Sequence, residues 1–171
     1  MERKGLIVFK GRDVTIVGPD IVVGQMAPEF EVHNQDWEVV RGLASTENKV
    51  RIIAAVHSLD TDVCDRETRR FNQDAARLSK DIRVLVISMD LPYAQKRWCG
   101  AAGIDQVIVL SDHVYADFGE KYGTLMKEPR LERRAVFVVD RDGIVRYADY
   151  MPVLGQEPHY DEVLQAAVAA L

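Results

Sequence analysis

One cysteine of this 171-residue sequence lies where a thiol is easily made reactive. Cys64 follows an apolar run at residues 50–56, which we interpret as a buried strand, and it opens a segment with helical periodicity. We therefore expect Cys64 in the first turn of a helix, at the carboxyl end of a central strand. Backbone amides and the helix dipole favour an anion at that place. Because the thiolate is the nucleophilic form of cysteine, the pattern predicts a reactive thiol.

The helix that we predict over residues 62–79 directs this thiol toward the interior. Cys64, Phe71 and Leu78 recur at intervals of seven residues, which is typical of a stripe that faces the core. Thr61 precedes the helix and is a suitable N-cap residue. The reaction of Cys64 would therefore take place in a shaped pocket and not in open solvent.

A second cysteine, Cys99, follows 35 positions later, in a short helix that begins at Pro92. The sequence contains no C-x-x-C motif. Two separate cysteines are compatible with inert core residues, because free cysteine is among the most buried residue types. They are equally compatible with a redox or nucleophilic role, so the residue pattern alone leaves both interpretations open.

Composition narrows the class of protein. With 22 basic and 27 acidic residues, the formal net charge is −5, which argues against nucleic acid as a main partner. No apolar run approaches the roughly 20 residues of a membrane span, and residues 6–9 are too short for a signal peptide, so we expect a cytoplasmic protein without a membrane partner. His33, His113 and His159 lack the spacing of metal ligands, and we expect no metal or cofactor.

The order of elements predicts an α/β protein. We expect an N-terminal β-hairpin at about residues 4–18, turned by Gly11, Arg12 and Asp13, and a second strand pair at residues 29–33 and 37–40. After residue 50, strands alternate with helices; the predicted strands are 50–56, 82–88, 107–110, 135–140 and 144–150, and the later helices are 113–122 and 158–170. This order predicts a single domain, residues 1–171, with a thioredoxin-like mixed central sheet.

Two acidic residues flank the start of the Cys64 helix. Asp62 and Glu67 have an ordinary explanation there, because carboxylates near a helix N-terminus interact favourably with its dipole. We expect both to act in this way. Asp65, between them, is expected to face solvent.

At Thr61-x-x-Cys64 the sequence resembles the peroxiredoxins, and more narrowly their thiol peroxidase subfamily of the atypical two-cysteine type. The resemblance extends over nearly the whole chain. Its motifs are VGQMAPEF at 23–30, SLDTDVC at 58–64, RRFN at 69–72, SMDLPYAQ at 88–95, RWCG at 97–100 and RAVFVVD at 134–140. A lone T-x-x-C would be weak, and the ordered series of matches makes the resemblance specific.

The resemblance implies an enzyme that reduces hydrogen peroxide and organic hydroperoxides. Cys64 matches the peroxidatic cysteine and Cys99 the resolving cysteine, which implies an intramolecular disulfide that thioredoxin or a similar dithiol then reduces. Thr61 and Arg134 match two further active-site positions, and we expect the adjacent Arg133 to be solvated. The subfamily also implies a homodimer.

His57 departs from the family pattern P-x-x-x-T-x-x-C, because it occupies the proline position. A protonated histidine near Cys64 would stabilise the thiolate, whereas a misplaced one would admit water or block the peroxide. This substitution keeps an alternative function open, that of a peroxide sensor or binding module on the same fold with weak turnover.

Overall fold

The computed structural model describes every residue from Met1 to Leu171. The strands, in chain order, are β1 Glu2–Arg3, β2 Val8–Phe9, β3 Arg12–Asp13, β4 Ile16–Val17, β5 Glu31–His33, β6 Val39–Arg41, β7 Val50–Ala55, β8 Ile82–Ser88, β9 Ile108–Ser111, β10 Leu125–Met126, β11 Leu131–Glu132, β12 Ala135–Val139 and β13 Val145–Tyr150. The helices are α1 Asp62–Ala75, α2 Pro92–Ala102, α3 Asp117–Tyr122 and α4 Tyr160–Ala169. None of these helices has the length and apolar character needed to cross a membrane.

The main sheet has seven strands in the order β13-β12-β7-β8-β9-β5-β6. The central strands β7, β8 and β9 are parallel, and the outer strands pair antiparallel to their neighbours. Every residue of β7 is buried, as expected for a strand that is covered on both faces. The prediction of an α/β protein with a mixed central sheet is confirmed.

Apolar side chains cover both faces of this sheet. On one face the core includes Ile52 and Val136 of the sheet together with Phe71 of α1 and Val163 of α4. Both cysteines lie in this core. The core on the opposite face contains aromatic rings that pack edge to face or stacked, namely Phe30, Phe118, Tyr122 and Phe137.

The N-terminal hairpin exists, but its turn differs from the predicted one. Val8 pairs with Asp13 and Phe9 with Arg12, so Lys10 and Gly11 form the turn. Both of these residues have positive φ (48° and 76°), which is the conformation that a two-residue hairpin turn requires. β4 does not continue the hairpin; it pairs with β1 and β10 in a separate four-stranded sheet.

Two predicted helices are shorter in the structure. α1 ends at Ala75 and not at residue 79, because the amides of Arg77 and Leu78 donate to carbonyls three residues back, in tighter turns. α3 begins at Asp117 and not at residue 113, because Ala116 adopts a left-handed conformation that interrupts the helical path. Residues 124–133, where we predicted no strand or helix, contain the paired strands β10 and β11.

Two glycines with similar φ angles test how closely the chain after β4 packs against α3. Gly18 (φ +90°) lies so close to α3 that an added Cβ would be 1.8 Å from the carbonyl oxygen of Glu120, whereas Gly24 (φ +94°) has nothing within 4 Å. We expect Gly18→Ala to lower the free energy of unfolding by more than about 3 kcal/mol, because backbone must move.

Gly24→Ala is the matched control and should lower the free energy of unfolding by only about 1–2 kcal/mol, the strain of a left-handed residue. Urea unfolding of both variants and the parent protein measures the difference. Equal losses in the two variants would contradict close packing at Gly18.

Candidate active site

Cys64 lies in the first turn of α1, immediately after the loop that follows β7. The residue is fully buried, in agreement with the predicted inward direction. Thr61 precedes the helix with extended backbone angles (φ −93°, ψ 144°) and is the N-cap. The structure thus places the thiol at the carboxyl end of a central parallel strand.

Arg134 provides the fixed positive charge next to this thiol. It immediately precedes β12, which pairs antiparallel with β7 so that Ala135 lies opposite Ala55. This register brings Nη2 of Arg134 to 3.2 Å from Sγ of Cys64, and the same nitrogen donates to the carbonyl of Leu154 at 3.0 Å. Because arginine keeps its proton at every relevant pH, the guanidinium stabilises a thiolate whenever one forms.

Glu67 is part of the same site, and sequence reasoning missed it. The prediction of a helix-dipole partner was wrong, because its side chain is fully buried and its Oε2 accepts a hydrogen bond from Nη1 of Arg134. Burial raises the pKa of Glu67 to about 7, although Arg134 opposes this shift. The spacing carried a signal, since Glu67 lies three residues after Cys64 and therefore on the same helix face.

His57 lies on the loop between β7 and Cys64 and is partly buried. Its ring packs 5.4 Å from the ring of Phe9, which belongs to the N-terminal hairpin, and its Nδ1 is buried without a hydrogen-bond partner. Burial lowers the pKa of His57, and the positive charge of Arg134 lowers it further. His57 is therefore neutral at pH 7 and does not supply the positive charge that a protonated histidine would bring to the thiolate.

The loop before α1 is held by hydrogen bonds around the sulfur. The hydroxyl of Thr61 donates to the carbonyl of Ser58 at 2.8 Å and makes no side-chain cap to its own helix. The amide of Ser58 in turn lies 3.5 Å from Sγ of Cys64. Asp90, which follows β8 and was not singled out from the sequence, accepts from the Ser58 hydroxyl at 2.7 Å and from the Leu59 amide at 2.9 Å. These bonds fix the loop against the sheet.

Cys99 lies outside this cluster. It is buried on α2, where the Gln35 amide donates to its sulfur at 3.5 Å, and burial raises the pKa of its thiol. Both cysteines are free thiols in this structure.

The two cysteine helices are joined by a side-chain hydrogen bond. Nε1 of Trp98, next to Cys99, donates to Asp65 at 2.9 Å, and Arg69 donates to the other oxygen of the same carboxylate at 2.9 Å. Asp65 therefore does not simply face solvent, as we had predicted. It links α1 to α2.

Arg133 is buried, which contradicts the expectation that it is solvated. Its Nε donates to the carbonyl of Gly123 at 2.9 Å and its Nη2 to Asp20 at 2.5 Å, and its guanidinium lies 4.2 Å from the ring centre of Tyr150. Neighbouring residues of an extended chain point to opposite faces, and here both faces are covered. Arg133 consequently anchors the N-terminal segment, whereas Arg134 faces Cys64.

The lowered pKa of His57 predicts the pH range in which this residue affects the reactivity of the Cys64 thiol. Because His57 is neutral above its ordinary pKa of 6.5, His57→Gln should leave the rate of Cys64 alkylation unchanged above about pH 7 and alter it only in more acidic solution. Alkylation by iodoacetamide as a function of pH, in a Cys99→Ser background, measures this.

His159→Gln provides a control, because it removes an imidazole whose residue is exposed to solvent. A displacement of the alkylation profile above pH 7 in His57→Gln alone would show that His57 is charged there and would contradict the prediction.

This chain is similar to known proteins over nearly its whole length. The model of the AhpC/TSA family matches residues 23–148. A thiol peroxidase of Bacillus subtilis is 49% identical over 163 residues, which are 95% of this chain and 96% of that protein. The crystal structure of a peroxiredoxin-like protein from Aquifex aeolicus matches with a TM-score of 0.86 and 40% identity, over 98% of this chain and 99% of that one.

A more distant structure, a thiol peroxidase from Chromobacterium violaceum, matches with a TM-score of 0.80 at 21% identity and covers 93% of each chain. At that identity it shows the fold alone, which is the expected thioredoxin-like one. The matched residues 23–148 contain Cys64, Cys99 and Arg134. The resemblance seen in the sequence motifs is confirmed, and the chain belongs to the AhpC/TSA family of peroxiredoxins, within its thiol peroxidase subfamily.

Proposed function

We propose that this protein is a thiol peroxidase that reduces hydrogen peroxide and organic hydroperoxides through Cys64. The observation that carries the proposal is the buried contact of 3.2 Å between the Cys64 sulfur and the Arg134 guanidinium. A thiol paired with a permanent cation at the start of a helix is suited to nucleophilic attack. The names of the relatives, thiol peroxidases, point to the same chemistry.

In the first step the Cys64 thiolate attacks one peroxide oxygen. A sulfur–oxygen bond forms, the oxygen–oxygen bond breaks, and the leaving oxygen takes up the proton that the Cys64 thiol released on ionisation and departs as water or an alcohol. Cys64 becomes a sulfenic acid. Negative charge grows on the leaving oxygen during this step, and Arg134 is suited to stabilise it. The Thr61 hydroxyl can both donate and accept a hydrogen bond, so we assign it the orientation of the peroxide.

Access to the sulfur requires motion, since Cys64 is fully buried. His57 and Thr61 are partly exposed and lie on the loop that precedes α1. We therefore expect the peroxide to enter by displacement of this loop, with the bulk of His57 at the position of the family's proline.

In the second step Cys99 attacks the Cys64 sulfenic acid, which forms a disulfide and releases water. A disulfide requires the two Cα atoms within about 7 Å, and we expect α1 or α2 to unwind partly so that the sulfurs of these two buried, free cysteines can meet. Gly103, in left-handed conformation at the end of α2, and Gly100 make α2 the easier helix to loosen. Unwinding would also expose Cys99 and remove the burial that raises the pKa of its thiol.

The remaining partners follow from this cycle. We propose thioredoxin or a similar dithiol as the reductant of the Cys64–Cys99 disulfide, and a cytoplasmic location is consistent with two free thiols. A homodimer is supported by an exposed aromatic cluster beside α2, where Tyr93 is 69% and Trp37 37% exposed and their rings are 5.2 Å apart.

Turnover with two cysteine variants tests the proposed cycle. We expect the parent protein to oxidise reduced thioredoxin continuously in the presence of hydrogen peroxide, and Cys64→Ser to abolish this, because the attacking sulfur is lost. Cys99→Ser should still consume one peroxide per chain but stop at the sulfenic acid. Coupled consumption of NADPH by thioredoxin reductase measures turnover, and mass spectrometry identifies the oxidised cysteine.

Equal rates in the parent protein and Cys64→Ser would rule out the peroxidase. A parent protein that is oxidised slowly and only once, without turnover, would favour the alternative of a sensor or binding module. Unoxidised thiols after peroxide treatment would mean that both cysteines are inert core residues.

The bond between Asp65 and Trp98 predicts a change in the rate of disulfide formation. Trp98→Phe removes the donor but keeps an aromatic ring, and loss of about 1 kcal/mol of hydrogen bonding should make the separation of α1 and α2 about fivefold easier. Rapid alkylation and mass spectrometry at successive times after peroxide addition follow the disulfide.

Tyr93→Phe, on the same helix, is the matched control, because the Tyr93 hydroxyl makes no hydrogen bond and the residue is exposed. A Trp98→Phe rate that equals the parent rate would show that this bond does not restrain the helices.

A further inference from the structure

One guanidinium serves two acidic groups in the buried site. Nη1 of Arg134 donates to Oε2 of Glu67, and Nη2 lies 3.2 Å from Sγ of Cys64. All three side chains are buried, with Glu67 and Cys64 at 0% exposure and Arg134 at 1%. The second carboxyl oxygen of Glu67 is buried without a partner, which is an unfavourable place for a full negative charge.

The charge count of this cluster restricts its protonation. If Glu67 and Cys64 are both ionised, two anions face a single cation in a fully buried site. If only one of them is ionised, the cluster is neutral. Because an uncompensated buried charge is strongly disfavoured, the neutral forms dominate, and in these forms the two groups hold one proton between them.

We propose that Glu67 is a positioning residue that controls the reactive thiol by competing with the Cys64 thiolate for Arg134. The thiolate then forms in step with protonation of Glu67: the S–H bond of Cys64 breaks, an O–H bond forms on Glu67, and Arg134 transfers its pairing from carboxylate to sulfur. This inference rests on the proposed peroxidase function for its biological meaning, although the proton exchange itself needs no peroxide.

The surroundings of Glu67 supply no other cation that would end the competition. From the segment before α4, Glu157 faces the site and raises the pKa of Glu67. Tyr160 of α4 donates its hydroxyl to Glu157 at 2.9 Å. From the loop after β7, His57 is neutral at pH 7. On α1 itself the neighbouring acidic group is Cys64. Glu67 and Cys64 therefore exchange the proton with each other, and Arg134 is the cation that pairs with whichever of them is ionised.

The sign of the pH dependence follows from these directions. Burial is the largest effect on Glu67 and raises its pKa to about 7, so the carboxyl stays protonated in mildly acidic solution and leaves Arg134 to the thiolate. As the pH rises through that value, Glu67 loses its proton, and the negative charge on Glu67 then disfavours a thiolate on Cys64 beside the same guanidinium.

Thiolate absorbance as a function of pH tests this without peroxide, in a Cys99→Ser background where Cys64 is the single thiol. Glu67→Gln keeps a hydrogen-bond acceptor for Arg134 but removes the competing charge. The midpoint should fall by about 2–3 pH units, the size expected for two anions about 4–6 Å apart at an effective dielectric constant near 20. Asp62→Asn, which removes an exposed carboxylate from the same helix, should move the midpoint by less than about 0.3 units.

A midpoint that is unchanged or raised in Glu67→Gln would overturn the proposal. A second measurement uses the native Glu67, in case the variant does not fold. Infrared spectroscopy at neutral pH should show the C=O band of a protonated buried carboxyl, and alkylation of Cys64 to a neutral adduct should remove that band, because Arg134 then pairs with Glu67 alone. A band that persists after alkylation, or that is absent before it, would also overturn the proposal.

These outcomes are separate from those that test the proposed function. If the Glu67→Gln titration shows no competition while the parent protein still turns over peroxide, only the proposed role of Glu67 is wrong. A parent protein without Cys64-dependent turnover would remove the peroxidase, whatever the titration shows.

Discussion

The site depends on one buried cation. Arg134 is 1% exposed, and a guanidinium in such a place must find partners or destabilise the fold by several kcal/mol. Its partners come from separate parts of the chain: Glu67 and Cys64 on α1, and the carbonyl of Leu154 after β13. Because these atoms must all stay within hydrogen-bond distance of one side chain, the start of α1 is fixed relative to the end of β7 and the start of β12. The position of the reactive thiol follows from this requirement.

The same architecture separates a rigid frame from a part that is able to rearrange. The central strands are buried and fully paired, so Arg134 is held by the sheet. The contacts between α1 and α2 are weaker, since the side chains of Asp65 and Trp98 that join them are partly exposed. Any movement that brings Cys64 toward Cys99 is therefore expected in the helices, because movement of the strands would break many backbone hydrogen bonds together.

Local patterns in the sequence predicted much of this protein correctly. The apolar run before Cys64 gave the central strand, and the seven-residue recurrence gave the inward direction of the thiol, because burial on both faces and helical periodicity are properties of short segments. Glu67, Arg133 and the turn of the N-terminal hairpin were interpreted wrongly. For Glu67 and Arg133, the partner that decides their position lies far away along the chain. For the hairpin turn, the deciding feature is the positive φ of Lys10, which cannot be predicted from its residue type.

By itself the sequence determined the class of fold, the family and the location of Cys64 at a helix start, since these depend on residue order and local periodicity. Only the tertiary structure decided what surrounds the sulfur. The antiparallel register of β12 against β7 selects Arg134, and not Arg133, to face the thiol, and it carries Glu67 to the same guanidinium. The physical reason is that the charge state of a buried group depends on neighbours that are close in space and distant in sequence, and no pattern of adjacent residues encodes those distances.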